Sequence, residues 1–146
     1  MRKLLTAATT VGIIISTAAL ADEIADRRAM MKQVNGSSAG TLVRMARGDT
    51  AFDAEAARNA FIAMREGTEG FVALFPDGTQ TGGDTVASPK IWEDRAGFEA
   101  AFVEFQASLD AAIAADPASV EELQPLLGAV GQECTACHTE YRLQVN

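Results

Sequence analysis

The stretch "QECTACHTEYR" occupies Gln132–Arg142 and holds both cysteines and the only histidine of the 146-residue chain. Cys134, Cys137 and His138 stand at i, i+3 and i+4, so a helix through this segment projects all three from one side. Cys-x-x-Cys-His is the attachment signature of c-type haem: two thiols add across the haem vinyl groups, and the adjoining imidazole sits under the iron as proximal ligand. Competing uses of these residue types fail. A thioredoxin-like dithiol needs an active-site turn within a parallel-sheet pattern, which the chain does not show. A structural zinc site wants four ligands, and no further Cys or His exists to complete one. A disulfide, conceivable as a transient before haem attachment, leaves His138 unexplained.

Working outward, the motif falls on the apolar face of a helix marked by Leu123, Leu126, Leu127, Val130, Cys134, Cys137 and Tyr141. Ser119 and Glu122 form a capping box before it, and Pro125 predicts that the helix becomes regular only afterwards. Asp116-Pro117 ends the preceding helix, whose inner face is Ile91, Phe98, Phe102, Phe105, Leu109 and Ala112 and whose start is Ser88-Pro89. Before that, "PDGTQTGGDTVASP" at 76–89 has the composition of a long loop. Asp53 is the N-cap of a second helix with Ala57, Phe61, Met64, Phe71 and Phe75 on one face. Ile24, Met31, Val34, Leu42 and Met45 mark a first helix from Ile24 to about Arg47. With no internal repeat and little that reads as strand, the expectation is an all-α, antiparallel four-helix bundle with haem covalently attached to the last helix.

Met1–Ala21 begins with Arg2 and Lys3, continues as a short apolar stretch and closes on Ala19-Leu20-Ala21, the pattern of a cleaved secretory signal rather than a membrane anchor. Residues 22–146 then form a single soluble domain, expected in the periplasm. Removing Arg2 and Lys3 from the 12 basic residues leaves 10 against 20 acidic ones, a formal charge of −10. So acidic a domain is unsuited to nucleic acid, which needs clustered Lys and Arg. It suits redox partner proteins with basic docking surfaces, although the same charge also serves plain solubility.

The position of the motif on the last helix resembles the class II c-type cytochromes, the cytochrome c′ family. The resemblance spans the mature chain through "RRAMMKQVNG", "FPDGTQTGG", "PKIWEDRAGF" and "LGAVGQECTACHTEYR". It implies one covalent haem c with its iron, held by Cys134 and Cys137 with His138 as proximal ligand. High-spin members place a noncoordinating residue over the iron four positions after a first-helix Arg. Here Arg27 is followed four residues later by Met31, which resembles the low-spin branch in which a Met supplies the sixth ligand. Met30 points about 100° away on an ideal helix. Arg27 and Arg142 are candidates for contacts to the haem propionates or the proximal imidazole, against a role as ordinary solvated helix charges. Tyr141 and Trp92 read as packing residues, and Gly128 and Gly131 as points of close approach to the haem or another helix. Family members occur as monomers and as dimers joined through the first two helices.

The leading expectation is a non-enzymatic, one-electron carrier with His138 and Met31 on the iron. The alternative is a five-coordinate protein that binds nitric oxide or carbon monoxide. A peroxidase-like enzyme is least supported, because no second His exists as a distal acid-base group.

Overall fold

The computed structural model describes residues 17–144. The first bundle helix is a composite of α1 (Thr17–Gln33), a π-helical segment (Val34–Ala39) and α2 (Gly40–Arg47). Then come α3 (Ala54–Glu66), a 3-10 turn (Phe71–Leu74), the one-turn α4 (Lys90–Glu93), α5 (Arg95–Ala115) and α6 (Val120–Tyr141). Among the described residues no strand forms, and the single β-bridge pairs Ala87 with Arg142. The predicted signal segment lies mostly outside the described residues; its last five, 17–21, form the first part of α1.

Local chemistry sets the helix ends. Asp53 caps α3 by accepting the Ala56 N–H at 3.0 Å, and Gly48 closes α2 in the left-handed region at φ 78°. The third bundle helix is not continuous from Ser88-Pro89. It breaks at Asp94, whose carboxylate caps α5 through the Gly97 N–H at 3.1 Å. The fourth helix corrects the expectation at Pro125: it is regular from Val120, with Ser119 Oγ accepting the Glu122 N–H at 3.3 Å. Proline that early loses a single intrahelical bond, which the turns after it offset. The Glu122 carboxylate reaches the Ala118 N–H at 2.8 Å, one residue short of the capping-box target.

The second helix also ends earlier than its apolar spacing suggests. It stops at Glu66; Phe71 opens the 3-10 turn beyond Gly70, which sits at φ 75°, and Phe75 follows that turn as its C-cap.

Two apolar clusters fill the bundle. The first joins Val34, Leu42, Phe61, Met64, Phe105, Leu109 and Leu123. The second joins Phe71, Phe75, Ile91, Phe98 and Tyr141, with edge-on ring pairs from Phe75 to Phe98 at 4.9 Å and Phe98 to Tyr141 at 5.4 Å. Phe102 packs against both.

Candidate haem-binding site

Cys134, Cys137 and His138 lie in the last two turns of α6. Both cysteines are free and half-buried. They straddle the seam of the core: Cys134 packs against the first cluster and Cys137 against the second. Burial pushes both thiols above the usual cysteine pKa, with Glu133 adding to the effect at Cys134 and Cys134 at Cys137. His138 is exposed, yet the protein mass around it, followed by the charge of Arg142, holds its pKa below the ordinary imidazole value. That direction favours the neutral ring, the form a metal requires.

The opposite wall is α1. It packs on the π segment and the 3-10 turn, whereas α6 packs on α5, α2 and α4, so α1 and α6 scarcely touch each other. Met30 and Met31 are both half-buried against the second cluster, the one that also takes Cys137. The structure thus brings Met31 to the same apolar cluster as the attachment motif, and brings Met30 there as well. The donor set fits a c-type haem: two thiols and an imidazole on one helix, thioethers on a second helix that packs only slightly against the first. It does not fit a protein-only metal cage, since no group of three or more His, Cys, Asp or Glu converges among the described residues.

Arg27 is not an ordinary solvated helix charge. It is 4% exposed, and its guanidinium donates to the Thr79 hydroxyl at 3.2 Å, the Thr79 carbonyl at 3.0 Å and the Thr85 hydroxyl, while lying 4.7 Å over the Phe75 ring. Burial lowers its pKa, opposed by Glu23. Arg142 is exposed, acts on His138 through its charge, and has its backbone bridged to Ala87.

Over residues 22–142 the sequence matches the family described as cytochrome c′. The chain belongs to the cytochrome c′ family. It is similar to the cytochrome c′ of Rhodopseudomonas palustris, 35% identical over 141 residues covering 92% of this chain and 94% of the relative. A solved cytochrome c′ from Rhodopseudomonas palustris superposes with a TM-score of 0.80 at 33% identity, covering 86% of this chain and 98% of that one. A cytochrome c-556 of Agrobacterium tumefaciens strain II Chrys is 34% identical over 124 residues, 85% of this chain and 99% of the relative. A nitric oxide complex of a cytochrome c′ variant from Alcaligenes xylosoxidans has a TM-score of 0.76 at 28% identity, covering 86% of this chain and 97% of that one.

Cytochromes c′ bind covalent haem c with its iron, and the four-helix architecture expected from the sequence is theirs. Membership does not carry with it the Met/His low-spin assignment, because relatives appear under both cytochrome c′ and cytochrome c-556. For Gly128 and Gly131 the expectation of a close helix is corrected: a Cβ at either would meet no protein atom within 4 Å, which leaves approach to the haem as the use expected from the sequence. Trp92 packs edge-on against Phe75 and donates to the Pro76 carbonyl at 3.2 Å. Tyr141 is buried and also donates to Asp94 at 3.0 Å.

Sequence reasoning missed Asp94, Thr79 and Thr85. Asp94 carries a readable signal, an N-cap residue three positions before Gly97. Thr79 and Thr85 carry none, because their partner is 52 and 58 residues away.

Proposed function

We propose that the chain is a periplasmic monohaem cytochrome in which Cys134 and Cys137 hold the haem as thioethers, His138 ligates the iron from α6, and the α1 side admits nitric oxide or carbon monoxide. The observation that carries this reading is the arrangement of α1 and α6 as two walls that share an apolar cluster with little direct packing between them. A variant of a related cytochrome c′ of the same fold forms a nitric oxide complex, which supports gas binding over simple electron carriage. Haem c, when bound, would supply an iron able to take up an external ligand and to change oxidation state. The chain's own residues favour the neutral His138 imidazole and line the far side with thioether and phenyl groups, which supply no acid or base. The protein is on this reading a binder, not an enzyme.

Periplasmic placement rests on the signal-like Met1–Ala21 and on a family match that starts at Asp22. No described helix is long and apolar enough to cross a membrane. The acidic mature chain suits a partner with a basic docking surface, in a monomer or a homodimer.

A second reading has its own support. Met31 is half-buried on the cluster shared with Cys137, and a thioether opposite His is an established axial pair, which would make the protein a one-electron carrier. One visible spectrum of the reduced protein, before and after carbon monoxide, separates the two. A high-spin spectrum with immediate uptake supports gas binding, a low-spin spectrum with slow uptake supports the carrier, and the absence of covalent haem overturns both.

A further inference from the structure

α1 and α6 carry Met31 and His138, yet direct packing between these helices is slight. A chain of hydrogen bonds spans them instead. Arg27, one turn before Met31, gives Nη1 to the Thr79 hydroxyl at 3.2 Å and Nη2 to the Thr79 carbonyl at 3.0 Å and the Thr85 hydroxyl. The Thr85 hydroxyl also accepts the Ala87 N–H at 3.2 Å. Ala87 is bridged to Arg142, flanked by Leu143 N–H to the Val86 carbonyl at 2.8 Å and Ser88 N–H to the Tyr141 carbonyl at 3.0 Å. Tyr141 ends α6 about one turn beyond His138, and Arg142 follows it as the extended C-cap.

We propose that Arg27, Thr79 and Thr85 are positioning residues: with the strap 79–88 they fix α1 against the end of α6 and so set where Met31 stands relative to His138. The proposal rests on the placement of the haem between these two helices. The strap has no helix or strand of its own, and Gly82 and Gly83 sit at φ 99° and 52°, so its order must come from what grips it. Arg27 is the grip. A buried guanidinium is costly unless its donors are used, and here neutral oxygens and the Phe75 ring use them, which makes the contact stiff. A parallel link, Arg28 to Asp84 at 2.7 Å, is 49% and 82% exposed and so holds weakly.

The test uses the haem-loaded full chain. Thr79→Val with Thr85→Val removes both hydroxyls while nearly keeping shape, Thr79→Ser with Thr85→Ser keeps them, and Arg28→Gln removes only the exposed link. Two signals are read: exchange of the Ser88 and Leu143 amides, and the rate of carbon monoxide uptake with the accompanying visible spectrum. The Val pair is expected to speed both amides at least about tenfold and to change the uptake rate by a similar factor, with the Ser pair and Arg28→Gln within about twofold of wild type. Faster amides with an unchanged spectrum and uptake rate make the strap mere scaffold and overturn the positioning role. Unchanged amides overturn the mechanical link itself. If the Val pair does not fold, Thr85→Val alone, at a half-buried site, is read by the same criteria. A wild type without covalent haem overturns the functional reading first, visible before any variant is compared, and the proposal falls with it.

Discussion

The Tyr141 hydroxyl donates to one oxygen of Asp94 at 3.0 Å while the other oxygen accepts the Gly97 N–H at 3.1 Å, so a single carboxylate ties the end of α6 to the start of α5. Burial, then the hydrogen bond and charge of Asp94, raise the Tyr141 pKa above the ordinary phenol value of 10.0, with Lys90 opposing. A raised folded pKa means that the bond's stabilisation is fully present below the ordinary value and is lost as pH rises through the higher one. Tyr141 is the only tyrosine, so its ultraviolet phenolate absorbance reports this group alone. Asp94→Asn keeps a capping oxygen for Gly97 and should move the midpoint down; an unmoved midpoint would separate the shift from Asp94.

Gly97 is required by the same junction. A Cβ there would lie 2.2 Å from Asp94 Oδ2 and 2.6 Å from the Tyr141 hydroxyl. Alanine in a helix ordinarily stabilises relative to glycine. Here Gly97→Ala should destabilise by about 1–3 kcal/mol, the loss of a cap and a charged hydrogen bond less the propensity gain. Denaturant titration checks the sign, and a more stable variant would show that the junction tolerates displacement.

The site was legible where its residues are local. Cys134, Cys137 and His138 fall within one helical turn, so their spacing alone brings them together. The burial of Arg27 was not legible, because the threonines that bury it are remote in sequence. The first helix shows a subtler failure. Val34 and Leu42 share a cluster although eight residues on an ideal helix put them about 80° out of line. The π segment absorbs that offset: the Gly40 N–H reaches back five residues to the Asn35 carbonyl. That long step was the available signal. Phe71 and Phe75 fitted the second helix's period by coincidence, and Gly67 and Gly70 marked the true end.

Covalent attachment makes a prediction for each thiol. Protein matured with a haem-attachment system should keep its haem through acid-acetone extraction and denaturing electrophoresis. Cys134→Ala or Cys137→Ala should each leave one thioether, read from the shifted reduced spectrum in pyridine, and should lower the melting temperature, since each half-buried thiol packs against a core cluster. Haem that washes out of the wild type would sink the covalent assignment.

On either proposed reading Met31 is expected to govern access to the iron, as the side chain that would ligate it or as the one that would lie over it. Met30 is the natural control, because both methionines are half-buried against the second cluster and both truncations remove similar volume. Loss of a buried Met costs about 2–5 kcal/mol of stability at full burial and less here, with no reason to change ligand access at one position and not its neighbour. Met31→Ala should therefore speed carbon monoxide uptake by at least about tenfold, a barrier change of about 1.4 kcal/mol, and Met30→Ala should stay within about twofold of wild type. The wild-type spectrum then says how Met31 acts. A high-spin wild type that remains high-spin in Met31→Ala makes it a steric cover over a gas-binding site. A low-spin wild type that turns high-spin only in Met31→Ala makes it the sixth ligand, and its loss should also lower the reduction potential, because Met opposite His raises it. If Met30→Ala produces the acceleration instead, the haem faces α1 one residue out of the register inferred from Arg27, and the strap that ends on Arg27 positions Met30.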